Sequence, residues 1–218
     1  PAIMATSIAA LRVLEKETGF SVAKEASFVA GHSLGEYSAL CAAGVLSLSD
    51  TARLLKTRGQ AMQKAVPAGL GAMAALIGAD FAQAQEVAKE AAQGGVCSVA
   101  NDNAPGQVVI SGAKAAIDRA IEIAKTKGIK RALLLEVSAP FHCALMAPAR
   151  KRMAELFSSA KPGEIPKTLR FPYVPNRTAR LTSEASMVFE LLVADQPVDP
   201  QVGDAHRQMV PAGLGKPA

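Results

Sequence analysis

Five residues, Gly31-His32-Ser33-Leu34-Gly35, place the tightest restriction on the fold of this chain. A serine with glycine two positions away on each side is the pattern of a sharp strand-to-helix turn. Ser27-Phe28-Val29-Ala30 before it is short and apolar, which predicts a buried strand. Leu34 to Ala43 after it predicts a helix that Gly44 ends. Such a turn strains its central residue, and Gly31 and Gly35 are expected to lack the Cβ atoms that would clash there. It holds the Ser33 hydroxyl above the sheet edge, at a helix N-terminus whose N–H groups are free. The N–H of Leu34, next after the serine, is the expected donor to an oxyanion.

A plainer reading fits the same residues. Ser33 and Glu36 have the spacing of a capping box, in which the serine only caps the helix. The flanking glycines and the apolar strand are what favour the elbow.

The longer run Gly31-His32-Ser33-Leu34-Gly35-Glu36-Tyr37-Ser38-Ala39-Leu40 resembles the active-site signature of the malonyl-CoA:acyl carrier protein transacylases. General α/β-hydrolases share the glycine-serine-glycine frame but vary around it. The resemblance extends from residue 1 to about residue 195. It implies an α/β fold, with a large α/β-hydrolase-like domain and an inserted ferredoxin-like subdomain. It also implies malonyl-CoA and acyl carrier protein as substrate and partner, with no bound cofactor.

The totals agree with a folded enzyme. The 218 residues suffice for one sizeable domain with a smaller insertion, and half of them are hydrophobic. No apolar run reaches membrane-spanning length, so no membrane association is expected. Cys41, Cys97 and Cys143 lack metal-ligand spacing, and an odd number of cysteines argues against a disulfide framework. No metal and a cytoplasmic setting are the expectation. A net charge of +5 suits anionic partners, but aromatics at 4% without a basic stripe argue against nucleic acid. The chain opens with Pro1 and without a signal peptide, which suggests processing or a fragment.

Along the chain, residues 1–18 predict a helix stopped by Gly19, and Ser49 is expected to cap another that runs to about Ala65. Pro67-Ala68-Gly69-Leu70-Gly71 marks a boundary. Residues 1–66 then form the first part of the large subdomain, 67–137 the small one, and 138–218 the second part of the large one. In the small subdomain Met73–Ile77, Val96–Ala100, Val108–Ile110 and Ala132–Val137 predict strands, and Phe81–Ala92 and Lys114–Lys127 helices. Asn101 to Gly106 reads as a turn-rich loop. Strand, helix, strand, strand, helix, strand is the order of a ferredoxin-like unit. Later, Met146–Ala160 and Ser186–Ala194 predict helices and Leu169–Val174 a strand. Four prolines and three glycines follow Asp195, so the tail from about residue 195 is expected to be irregular.

A serine hydroxyl needs a base, and the chain holds three histidines. His32 precedes the serine and should point away from it; His206 lies in the tail. His142 follows a predicted strand at the return to the large domain, where α/β folds assemble sites. The residues alone leave it open between a base and a structural histidine. Pro140-Phe141-His142-Cys143-Ala144-Leu145-Met146 resembles the family's histidine motif, which implies a Ser33–His142 dyad. No aspartate stands near as an orienter; in the family a backbone carbonyl does that work. Arg58 shares a helical stripe with Leu54, Leu55 and Met62. Its head either snorkels to water or turns into a cleft that awaits a planar anion. Arg58-Gly59-Gln60-Ala61-Met62-Gln63 resembles the family segment whose arginine grips the malonyl carboxylate, and that role is implied for Arg58.

Lesser assignments follow. Resemblance points to Gln196 as a family glutamine near the histidine, though Ala194 to Pro200 departs from the pattern. Asn103 and Gln107 resemble sequence near the acyl-CoA cleft; turn chemistry is the other reading for both. Cys143 beside His142 reads as packing or as a reactive thiol. Arg150-Lys151-Arg152 reads as a solvated face or as a greeting to an acidic carrier protein. The family's first strand and its glycine-glutamine-glycine-serine-glutamine loop, which completes the oxyanion hole, have no match here. Its glycine-rich closing segment and its common tryptophan are absent too, so a weakened catalyst is expected. The alternatives are the acyltransferase module of a polyketide synthase, a serine thioesterase or esterase on the same elbow, and an inactive copy that only binds acyl groups.

Overall fold

The computed structural model describes residues 1–159, 173–175, 188 and 192. In chain order these carry α1 (Ala2–Thr18), α2 (Val22–Glu25), β1 (Val29–Ala30), α3 (Leu34–Ala42), α4 (Leu48–Ala65), β2 (Gly71–Ile77), α5 (Phe81–Ala92), β3 (Cys97–Ala104), β4 (Gln107–Ala113), α6 (Lys114–Thr126), β5 (Arg131–Leu134), α7 (Ala147–Ser158) and β6 (Tyr173–Val174). The protein is a mixed α/β structure. Its described residues fall into two compact units, one within Pro1–Ala61 and Arg150–Asp195, the other Met62–Ala149. None of the described helices is long and apolar enough to cross a membrane.

The first unit is held by side chains from several helices. Met4 and Ile8 of α1, Tyr37 and Leu40 of α3, Leu55 of α4, and Met153 and Phe157 of α7 share one buried cluster, joined by Val188 and Leu192. The spacing of Met4 and Ile8, and of Met153 and Phe157, is one helical turn, so each helix buries one stripe. β1 runs parallel to β6, with Val29 opposite Tyr173. The predicted buried strand Ser27–Ala30 is shorter than expected: only Val29 and Ala30 pair, and Phe28 is 53% exposed. Among the described residues β6 is its sole strand partner.

The start of α4 corrects another expectation. Ser47, not Ser49, caps it: the Ser47 hydroxyl accepts from the Asp50 N–H at 3.0 Å. Ser47 lies three residues before Asp50, which is the spacing a cap needs, and Ser49 already lies inside the helix.

The second unit is a four-stranded antiparallel sheet in the order β3-β4-β2-β5. Alternation along β2 sends Ala72, Ala74 and Leu76 to one face, against Val108 and Ile110 of the neighbouring strand. Small residues of α5 (Ala84, Ala88, Ala91) and α6 (Ala120, Ala124) let both helices lie close on that face, around Val87 and Ile117. α5 begins with a full capping box, in which the Asp80 carboxylate accepts from the Gln83 N–H and the Gln83 side chain from the Asp80 N–H. The expected loop Asn101–Gly106 is mostly strand. β3 runs to Ala104 and the turn is only Pro105-Gly106. Polar residues are tolerated there because β3 is an edge strand whose register shifts twice, at Val99/Asn101 and Asp102/Ala104. β5 stops at Leu134 rather than Val137, since beyond it the ladder with β2 continues by a single bond, Leu135 N–H to the Met73 carbonyl.

Candidate active site

Ser33 sits at the junction of β1 and α3 with φ 53° and ψ −110°. That backbone lies outside the regions an L-residue prefers, and it persists only where the surroundings enforce it. Gly31 is one cause. A Cβ built there would stand 2.0 Å from the Gly35 carbonyl oxygen, so only glycine lets the two arms of the turn close. Gly35 itself does not share that reason: a Cβ there meets no described atom within 4 Å. The expectation of a clash at both glycines holds for Gly31 alone, because Gly35 contributes its carbonyl, not its Cβ, to the close approach.

The capping reading of Ser33 does not hold. Its side chain makes no cap hydrogen bond, although it occupies the N-cap position. The strained backbone swings the hydroxyl away from α3, and Oγ accepts from Arg58 Nη2 at 2.9 Å. The N–H groups of Gly35 and Glu36 are taken by the carbonyls of His32 and Ser33, whereas Leu34 N–H bonds to no described carbonyl. It remains available as a donor at the head of α3. A groove of about 510 Å³ opens beside the serine, lined in part by Ile3, Ile8, Leu11 and His32. His32 is exposed.

Arg58 is buried, at 6% exposure, so its head does not snorkel to water. Its guanidinium carbon stands 5.8 Å from the centre of the Tyr37 ring. Tyr37 follows Ser33 by one helical turn, so it lies on the helix face beneath the nucleophile position. The Tyr37 ring and the Ser33 hydroxyl are thus two of the groups that hold the cation in place. Tyr37 was absent from the residues picked out by sequence. Its i, i+4 spacing from Ser33 was the signal that could have found it.

His142 belongs to the second unit and has φ 57°. Among the described residues only three non-glycine residues have positive φ: Ser33, Gln93 and His142. Gln93 closes α5, a common use of the left-handed region. The other two are the serine and histidine singled out by sequence. Cys143, beside His142, is buried, and its thiol donates to the Pro140 carbonyl at 3.2 Å. Burial pushes that thiol up from its ordinary range. Cys97 is pushed up to about 11, by burial first and then by Cys143. Thiolate is the nucleophilic form, so both surroundings favour the less reactive thiol. Asn103 and Gln107 are exposed on either side of the Pro105-Gly106 turn. Asn103 lies in β3, not in a loop. Gln196 and His206 lie outside the described residues. No group of three or more His, Cys, Asp or Glu residues able to hold a metal occurs among the described residues.

The profile of the acyl transferase domain matches residues 1–201. The chain belongs to the acyl transferase family. Within that family its relatives include malonyl CoA-acyl carrier protein transacylases. The Escherichia coli K12 protein of that description is 51% identical over 154 residues, 71% of this chain and 48% of its own. An acyl-carrier-protein-S-malonyltransferase from Bartonella henselae has a solved structure with a TM-score of 0.83 and 48% identity, covering 91% of this chain and 62% of that one. A type II PKS acyl-carrier protein in complex with its malonyl-transacylase matches with a TM-score of 0.82 and 43% identity, over 92% and 63% of the two chains. The acyl transferase chain described here thus spans about half the length of the curated relatives it matches.

Proposed function

We propose that this chain carries the transfer of a malonyl group from malonyl-CoA to the phosphopantetheine thiol of acyl carrier protein, for fatty-acid synthesis in the cytoplasm. The observation that carries the reading is Ser33, held at φ 53° at the head of α3 with a buried guanidinium 2.9 Å from its hydroxyl. A nucleophile beside a fixed cation suits an acyl group that ends in a carboxylate. The strand order β3-β4-β2-β5, with α5 and α6 on one face, supports a ferredoxin-like subdomain inserted in an α/β-hydrolase-like domain.

In this reading Ser33 Oγ attacks the malonyl thioester while His142 takes its proton. Leu34 N–H donates to the oxyanion. Arg58 grips the distal carboxylate. The C–S bond breaks, and the coenzyme A thiolate leaves with the proton from His142. The carrier thiol then gives its proton to His142 and attacks the malonyl-serine; the Oγ–C bond breaks and His142 returns the proton to Ser33 Oγ. The chemistry asks for no resident cofactor. The acceptor in the solved relative's complex, a type II PKS carrier protein, favours a second reading in which the acceptor is a polyketide carrier.

The test is a coupled transfer assay with malonyl-CoA and each carrier protein. Malonyl transfer to the carrier, lost in Ser33→Ala, is the expected result. Hydrolysis of uncharged esters without transfer would support an esterase instead.

A further inference from the structure

We propose that Arg58 is a latch on the nucleophile, and that the carboxylate of an incoming acyl group opens it. The inference rests on Ser33 as the nucleophile and goes beyond a grip on the carboxylate. In the structure the Arg58 guanidinium already has an occupant: Nη2 donates to Ser33 Oγ at 2.9 Å. The arginine is buried, and its guanidinium lies over the Tyr37 ring. A hydroxyl oxygen carries two lone pairs, and attack on a carbonyl uses one of them. A hydrogen bond from a full cation ties up a lone pair and draws electron density from the oxygen. A serine held this way is a poorer nucleophile than a free one.

Competition for the guanidinium then sets the order of events. A hydroxyl accepts one N–H bond from the fork. A carboxylate accepts two in parallel and brings an opposite charge. A dicarboxylic acyl group therefore takes Arg58 from Ser33. Only then does the Oγ–C bond form and the C–S bond break. An acyl group without a carboxylate meets a serine that is still latched. Selectivity appears in the rate of acylation as well as in binding.

The experiment measures sulfonylation of Ser33 by phenylmethanesulfonyl fluoride, a neutral reagent. The Oγ–S bond forms, the S–F bond breaks, fluoride leaves and the Oγ proton passes to solvent. The rate is followed by intact mass and the site by peptide mapping, with acetate or with chloride at equal ionic strength. Acetate supplies a carboxylate that fits the fork and leaves the space over Ser33 open. Acetate should speed labelling by about tenfold, the scale of one hydrogen bond to a charged group. Arg58→Ala should be labelled about tenfold faster in chloride and should not respond to acetate. Should that variant fail to fold, Arg58→Leu and the unaltered chain still decide. Labelling of the unaltered chain that acetate leaves unchanged or slows overturns the latch while Ser33 stands as the nucleophile. A folded chain with no label on Ser33 in any arm overturns the proposed function and the latch together.

Discussion

Arg58 and Ser33 lie 25 positions apart in sequence and meet through one hydrogen bond, from Nη2 to Oγ at 2.9 Å. The contact ties the elbow to α4. It also sets the cation at a hydroxyl whose residue has φ 53°. Removing the guanidinium from this site should act on substrate choice more than on stability.

Arg58→Ala should weaken malonyl transfer by about 2–4 kcal/mol in barrier, the scale of one lost charged contact. Acetyl transfer, which offers no carboxylate to open the latch, should not fall and should rise by up to about tenfold. The ratio of kcat/KM for the two acyl groups reads this directly. Equal losses for both would count against a carboxylate grip.

The two elbow glycines should behave differently. Gly31→Ala places a Cβ 2.0 Å from the Gly35 carbonyl oxygen, and the turn must open. A loss of about 1–3 kcal/mol, as for overpacking, is expected along with loss of activity. Gly35→Ala points into open space in a helix and should be neutral or gain about 0.5–1 kcal/mol. Thermal denaturation of both variants separates them; matched losses would contradict the geometry.

Sequence and structure agree where short-range rules decide. α5 was readable to the residue because Asp80 and Gln83 box its start and its apolar spacing is regular. β2 was readable only as the apolar run Met73–Ile77; it begins two residues earlier, at Gly71, and a run without polar residues does not say which face each side chain takes. Errors came where tertiary contacts override local chemistry. Asn101-Asp102-Asn103 has turn composition, yet it pairs with β4 along the sheet edge. Ser49 looked like a cap, but the helix starts one residue earlier, at Leu48. Arg58 was placed on the apolar stripe, but no spacing rule shows that its guanidinium reaches a hydroxyl on another helix's first turn.

The cap of α4 makes a separate test. Ser47→Ala should cost about 1 kcal/mol, while Ser49→Ala should stay within about 0.5 kcal/mol. Urea denaturation midpoints at constant slope provide the comparison. A larger loss at Ser49 would return the cap to that residue.

The half-buried thiol of Cys97 gives a pH dependence. With Cys97 pushed up to about 11, its thiolate is scarce at neutral pH. The thiolate fraction rises as pH climbs toward that value, by about tenfold per unit. Alkylation of Cys97 by iodoacetamide should therefore be slow at pH 7 and climb steeply to pH 10. A rate that levels off below pH 9 in the folded chain would contradict the upward push on this thiol.

Ser33 as the acyl acceptor is tested most directly by intact mass after mixing with malonyl-CoA. One malonyl mass should be added, peptide mapping should locate it on Ser33, and Ser33→Ala should show none. An adduct that maps to another residue, or that survives in Ser33→Ala, contradicts the assignment of this serine as the nucleophile.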